Sequence, residues 1–396
     1  MVLDAKGLRR TVVIENVAPA VDGGRYPVKR EVGDVLEVSA DVFMEGHDVL
    51  AAFLKHRRRD ETAWRESPMR FVDNDRWAGR FALEANSRYL YTIEALPDPF
   101  RSWLADLAKR TAAGQEVASE LREGAALVRA AAGRAAGPDA EALAGYAAGL
   151  EGAASQAEAV ALAGEERLAV LMHAHLDRAD ATWCDREFEV VADRERARFA
   201  AWYEFFPRSG RADGRHGTFR DAEAQLERAA AMGFDVVYLP PVHPVGRAHR
   251  KGRNNTLVAG PGDPGSPWAI GAAEGGHMTV HPELGTLADF DRFVARAHAL
   301  GLEVALDFAI QASPDHPWVR EHPEWFFHRP DGTIKYAENP PKKYQDVYPL
   351  NFQGADPRPL WEEMRRTIEF WVGHGVKTFR VDNPHTKPVK FWEWLI

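Results

Sequence analysis

The sequence predicts a multidomain chain built from an N-terminal β-sandwich, an α-helical insert and a parallel β/α sheet or barrel. Three changes of periodicity carry that reading. Apolar residues alternate with period two from about residue 10 to residue 96, recur at helical spacing from 103 to 182, and from about 197 fall into helix–Gly–strand units.

In the first regime Leu36, Val38, Ala40 and Val42 alternate with Glu37, Ser39 and Asp41, and Tyr89, Tyr91 and Ile93 repeat the pattern. Turn residues at Val21-Asp22-Gly23-Gly24 and Val72-Asp73-Asn74-Asp75 separate the strands, so residues 1–102 read as an antiparallel sandwich. Trp64, Trp77 and Phe81 are either sandwich core or a carbohydrate platform. The Ala-rich stretch 103–182 places Val117, Leu121 and Val128, then Leu143, Tyr146 and Leu150, then Leu168, Leu171 and His175 on helical faces. A break is expected at Gly137-Pro138-Asp139, and the segment is a helical hairpin or small bundle, or a dimerisation surface. Phe188–Ala192, within about 183–196, is the candidate return strand of the sandwich.

From 197 to 396 a strand is expected at Arg198–Glu204, then three units follow. Helix Phe219–Met232 ends at Gly233 before Val236–Leu239, helix Phe290–Leu300 ends at Gly301 before Val304–Asp307, and helix Trp361–Trp371 ends near Gly375 before Val376–Asp382. The connections 241–285 and 308–354 are long, and long loops after such strands are where binding and catalysis are built.

The chain has 396 residues, 45% hydrophobic and 28% charged, with a formal net charge of −9. That balance argues against nucleic-acid and anionic-membrane partners, which are held by basic surfaces. The single Cys184 has no disulfide partner and no metal-ligand companion, and fits a reducing cytoplasm. Met1–Lys6 lacks an apolar signal core, and no stretch approaches the roughly 18 apolar residues of a membrane span. The Gly260–Gly265 run is an unsuitable nucleotide loop, because its prolines remove amide donors and no Lys-Ser/Thr follows.

The sharpest chemical signal is Gly375-Val376-Lys377-Thr378-Phe379-Arg380-Val381-Asp382-Asn383. Strand periodicity puts Arg380 and Asp382 on one face. An arginine beside an aspartate favours the carboxylate form, which suits a nucleophile toward an anomeric carbon and equally suits a plain buried ion pair.

Phe379-Arg380-Val381-Asp382 resembles the nucleophile segment of glycoside hydrolase family 13, the α-amylase superfamily, and Leu302–Gln311 around Asp307 is similar to that family's third barrel strand. The resemblance implies the first half of a TIM (β/α)8 barrel, strands one to four, with 308–354 as a small subdomain after strand three. Asp307 could instead only organise loops. Gln311-Ala312 stands where amylases usually carry Asn-His, and Asn383-Pro384-His385-Thr386-Lys387-Pro388 replaces their Lys-His. Those departures, with Trp202–Ser209, His249–Asn255 and Glu338–Tyr344, resemble the α-1,4-glucan:maltose-1-phosphate maltosyltransferases over essentially the whole chain. The resemblance implies an α-maltose 1-phosphate donor, an α-1,4-glucan acceptor extended at its non-reducing end as in glycogen, retention of configuration and a homodimeric full-length enzyme. It implies donor-phosphate contacts from Asn339, Lys342 and Tyr344, and maltosyl contacts from Lys251, Gln311 and Asn383. Chemistry agrees: Asn339–Tyr344 holds an amide, two ammonium groups and a phenol, stiffened by two prolines. Lys342 and Lys343 could equally be solvated, and Lys251 part of a basic loop.

The family's acid/base Glu and a further Asp lie downstream of the nucleophile, and a closed barrel of about 250 residues needs eight units where four are present. Glu393 is too near Asp382 to be that acid. The expectation is a truncated chain, catalytically silent and poorly soluble by itself. An α-glucan hydrolase or branching-type enzyme, and a non-catalytic glucan-binding fragment, are the alternative functions. No metal or organic cofactor is implied, and His316 and His322 are each followed by proline rather than set at ligand spacing.

Overall fold

The computed structural model describes residues 11–396, so Met1–Lys6 lies outside the described residues. Its contacts divide the chain into two compact units, Met1–Arg198 and Phe199–Ile396.

In the first unit, alternation of apolar and polar side chains produces ten strands: β1 (Val13–Ala18), β2 (Val28–Glu31), β3 (Val35–Phe43), β4 (Leu50–Arg58), β5 (Arg65–Pro68), β6 (Arg70–Asp73), β7 (Arg76–Ala82), β8 (Ser87–Pro97), β9 (Thr182–Trp183) and β10 (Phe188–Asp193). They form one sheet ordered β1-β3-β7-β6 and a second ordered β2-β10-β8-β4-β5, with β9 against β8. β10 runs parallel to β2 and antiparallel to β8, which returns the chain to the sheet it left. Leu36, Val38, Ala40 and Val42 turn inward from the first sheet to meet Leu54, Tyr91, Ile93 and Val190 of the second in one core. Asn74 and Asp75 both take positive φ in the turn between β6 and β7, the geometry a two-residue hairpin requires. Of the aromatic candidates, Phe81 is core, Trp77 is half-buried against it, and Trp64 lies under the Arg57 guanidinium at 4.7 Å.

Helices α1 (Pro99–Ala112), α2 (Ala118–Arg134), α3 (Gly137–Gly152), α4 (Gln156–Ala163) and α5 (Glu166–Ala174) interrupt the sandwich between β8 and β9. The first starts four residues before the Ala-rich composition does, because Asp98 accepts a hydrogen bond from the Arg101 amide as N-cap and Pro99 suits the first turn. The helices have their own core, including Leu107, Val117, Val128, Leu143 and Leu168. The crossing of α1 and α2 depends on Gly124, where an added Cβ would lie 2.0 Å from the Trp103 ring.

The second unit opens with β11 (Trp202–Glu204), shorter than the strand read at Arg198–Glu204. Arg198 is drawn to Glu31 and Asp34 instead, and the Ala201 amide donates to the Asp235 side chain. Then come α6 (Phe219–Ala231), β12 (Val236–Leu239), α7 (Leu287–Ala299), β13 (Glu303–Ala309), β14 (Gln311–Ala312), α8 (Pro317–Glu321), β15 (Ala337–Asn339), β16 (Lys342–Tyr344), β17 (Tyr348–Pro349), α9 (Arg358–Gly373), β18 (Thr378–Asp382) and α10 (Val389–Leu395). Thr218 with Asp221, and Thr286 with Asp289, form capping boxes that start α6 and α7. Strands β11, β12, β13 and β18 form a parallel sheet in sequential order. One core takes Phe219, Leu226, Phe290, Phe293 and Trp371 from the helices and Val237, Leu239, Val304 and Leu306 from the strands. Small antiparallel pairs, β14 with β17 and β15 with β16, fill the long connection after β13. Among the described residues no helix is long and apolar enough to cross a membrane.

Replacing Gly124 with Ala is expected to drive a methyl group into the Trp103 indole and destabilise the first unit by about 1–3 kcal/mol. Urea unfolding followed by tryptophan fluorescence checks this, and an unchanged midpoint would contradict the packing.

Candidate active site

Parallel register aligns Asp307 of β13 with Arg380 of β18, and Ala309 with Asp382, so acidic and basic side chains converge where both strands end. Arg380 Nη1 donates to Asp382 Oδ1 at 2.7 Å and to Asp307 Oδ2 at 3.1 Å. The same Asp307 oxygen accepts from the Tyr238 hydroxyl at 2.5 Å and from Trp268 Nε1 at 3.1 Å. Asp307 Oδ1 is buried with no hydrogen-bond partner among the described residues. Burial pushes the Asp307 carboxyl up to about 6, against the pull of the Tyr238 hydroxyl and Arg380, and burial with that hydrogen bond raises the Tyr238 hydroxyl in turn.

Asp382 stays reachable. Its second oxygen accepts from Asn383 Nδ2 at 3.2 Å, and its side chain is 17% exposed against 0% for Asp307. Asn383 has φ 48° and ψ 53°, a left-handed conformation that asparagine tolerates, and it turns the chain away immediately after the carboxylate.

Asp382 and Asn383 open on a cavity of about 730 Å³ shared with Trp268, Gln311, Asn339 and Tyr344. Gln311 Nε2 donates to the Trp268 carbonyl at 3.0 Å, so Trp268 links the Gln311 amide to the Asp307 carboxylate. Six of the eight residues singled out from sequence are thus in the acidic cluster or on the cavity wall: Arg380, Asp382, Asn383, Gln311, Asn339 and Tyr344. The other two are elsewhere. Lys342 pairs with Asn339 across the β15–β16 hairpin but is exposed and does not line the cavity. Lys251 is buried behind that hairpin, where Nζ donates to the Lys343 carbonyl at 3.3 Å and lies 3.9 Å from Asp346 Oδ1.

Four participants escaped the sequence reading. Tyr238 had one signal, a hydroxyl inside the apolar run Val236–Leu239 that needs a partner when buried. Lys387, inside the run after Asp382, lines the cavity; burial lowers its ammonium from the usual lysine value and the Asp382 charge opposes that. Asp346 and Trp268 both line the cavity, and nothing local in sequence marks either.

Buried histidines hold the end of β13 next to the site. His316 Nδ1 accepts from the Trp318 amide at 3.0 Å, so its proton is on Nε2, which faces His277 Nδ1 at 3.1 Å, and His277 Nε2 then donates to the Ala309 carbonyl at 2.9 Å. Burial pushes both imidazoles far below the usual histidine range and keeps them neutral. Only glycine fits at 271 and 276, where a Cβ would lie 2.2 Å from the His316 ring. His316 is therefore a buried packing residue, and His322 stacks on Trp325 beside Glu324.

A family profile described as α-1,4-glucan:maltose-1-phosphate maltosyltransferase, domain N/S, matches residues 10–194. The α-1,4-glucan:maltose-1-phosphate maltosyltransferase of Myxococcus xanthus is 55% identical over 98% of this chain and 59% of its own length. Nearly the whole chain is thus similar to one part of a maltosyltransferase. The corresponding protein of Chlorobaculum tepidum is 51% identical over 98% of this chain and 58% of its own, so the chain spans somewhat under three fifths of these family members. Among solved structures, an α-amylase from Lactobacillus plantarum is 32% identical, covering 50% of this chain and 41% of its own with a TM-score of 0.41.

The raised Asp307 carboxyl gives the stability of this chain a pH dependence. A carboxyl held above its unfolded value contributes stability that is present at low pH and lost as pH rises through about 6. Relative to Asp307→Asn, the unsubstituted chain is expected to gain up to roughly 3 kcal/mol between about pH 7 and about pH 4. Urea titrations of both proteins at several pH values test this; a pH-independent difference would contradict it.

Proposed function

We propose that the chain carries the nucleophile side of an active site that transfers a maltosyl unit from α-maltose 1-phosphate to the non-reducing end of an α-1,4-glucan such as glycogen, with retention. The observation that carries the proposal is the cavity on which Asp382, Gln311, Asn339 and Tyr344 converge, with Arg380 bonded to Asp382. In the proposed reaction an Asp382 oxygen attacks C1 of the donor from the face opposite the phosphate, the C1–O bond breaks, and the electron pair leaves with phosphate. The acceptor's 4-hydroxyl then attacks C1 of the maltosyl-aspartate while a base removes its proton, and the C1–O bond to Asp382 breaks with its electron pair returning to the carboxylate. Arg380 holds one Asp382 oxygen by a charge-assisted bond and Asn383 the other, which fixes the direction of attack.

Asn339, Lys342 and Tyr344 are assigned to the departing phosphate, and Lys251, Gln311 and Asn383 to the sugar. For Lys342 this requires the β15–β16 hairpin to turn its ammonium inward when an anionic donor enters; for Lys251 it requires leaving the Lys343 carbonyl, or acting through Asp346. The sequential parallel order β11-β12-β13-β18, without the reversal of a doubly wound sheet, supports reading 197–396 as strands one to four of a (β/α)8 barrel, with 308–354 as its subdomain and 103–182 as an insert in the sandwich. Retaining transfer also needs a second carboxyl about 5–5.5 Å from the first. The proposal draws it from the roughly two fifths of the relatives' length that this chain does not match. A homodimeric, cytoplasmic enzyme completes the reading.

In a protein containing this chain and the remainder of its relatives' length, α-maltose 1-phosphate with glycogen is expected to release phosphate. Asp382→Asn is expected to lower that rate at least about a thousandfold. Turnover surviving the substitution, or release of maltose to water without glycogen extension, would sink the proposal.

A further inference from the structure

The long connections after β11 and β12 meet at His216, His281 and Glu283, none of which lines the large cavity. Each side chain offers one ligand atom, and the three atoms lie within 4.8 Å of one another. His216 Nε2 is 4.0 Å and His281 Nε2 3.9 Å from Glu283 Oε2, too far for hydrogen bonds. The imidazole rings are 5.7 Å apart and inclined at 60°, so they do not stack.

The rings are prepared in different ways. His216 Nδ1 lies 2.8 Å from the Gly217 carbonyl, and a carbonyl accepts only from a protonated nitrogen. The neutral ring therefore presents its Nε2 lone pair toward Glu283, the arrangement by which backbone carbonyls orient metal-binding histidines. His281 borders a cavity of about 20 Å³, room for a single water, and its buried Nδ1 has no protein partner among the described residues.

We propose that His216, His281 and Glu283 bind a divalent transition-metal ion of the zinc class, with water as fourth ligand, and so cross-link the two connections. Two imidazoles and one carboxylate suit zinc and its neighbours and not calcium or magnesium, which take oxygen donors. Tetrahedral zinc holds its N and O ligands at about 2.0–2.2 Å and hence roughly 3.4 Å from one another. The two histidine–Glu283 gaps exceed that by about half an ångström. Glu283, 65% exposed and free to change rotamer, can close them, and the same exposure gives the ion its entry path. The sequence offered no cue, because 64 residues separate the two histidines and only the fold adjoins them. The tie reaches toward the active site through Phe206, which follows β11 and meets the Trp268 ring edge-on at 6.2 Å.

The test uses the chain stripped of metal by a chelator, and its readouts do not involve turnover, so it stands or falls separately from the assignment of Asp382. Calorimetric titration with zinc chloride is expected to give one site per chain, and cobalt(II) substitution the intense visible absorption of four-coordinate geometry. His216→Ala and Glu283→Gln are each expected to weaken zinc at least about tenfold. His322→Ala, at a distant His–Glu pair, is expected to leave it unchanged. Because Glu283 is exposed, Glu283→Gln retains the fold, which circular dichroism verifies. Absence of binding at millimolar zinc, affinity unchanged in Glu283→Gln, or a weak six-coordinate cobalt spectrum would overturn the proposal.

Discussion

The second unit is organised around one buried carboxylate. Asp307 Oδ2 gathers the Tyr238 hydroxyl from β12, the Trp268 indole from the following connection and the Arg380 guanidinium from β18. A charge in that position is costly unless paired and hydrogen-bonded, and these donors meet the cost from three different segments. The result is geometric as much as energetic. Arg380, shared between Asp307 and Asp382, sets where the half-buried Asp382 carboxylate points, and Trp268, shared between Asp307 and Gln311, sets one side of the cavity.

The first unit is built on another principle. Its sandwich closes by non-local pairing, since β10 returns to β2 and β8 only after five helices have intervened. Those helices bury their own side chains among themselves, so the excursion carries its own stabilisation. Asp98, capping α1 directly after β8, marks the point where sheet geometry gives way to helix.

Legibility in sequence followed the range of the responsible interaction. The alternation at Leu36–Val42 and the helix–Gly–strand pattern around Gly233, Gly301 and Gly375 are local signals, and both appear as elements of the structure with boundaries shifted by a few residues. Arg380 and Asp382 could be placed on one face because a strand repeats every two residues. The Arg198–Ala201 stretch was misjudged because acidic partners far away in sequence, Glu31 and Asp34, decide the position of Arg198. Lys342 and Lys251 carried motif identity but not orientation; a hairpin side chain can face solvent or cavity without any change in local pattern. Trp268 and Asp346 lie in irregular connections, where neither period nor spacing specifies a neighbour.

The histidine chain that holds the end of β13 limits how the site can change. Because the Trp318 amide fixes the first tautomer, every later proton in the chain is assigned, and no ring can flip without leaving a buried nitrogen mismatched. Trp371 adds a further tether, its indole N–H bonded to the His277 carbonyl. The end of β13 is a fixed datum against which distances are set, whereas the β15–β16 hairpin is a two-stranded ribbon with exposed lysines. Remodelling of ligand preference would accordingly be accommodated by the ribbon, with the histidine side serving as the ruler.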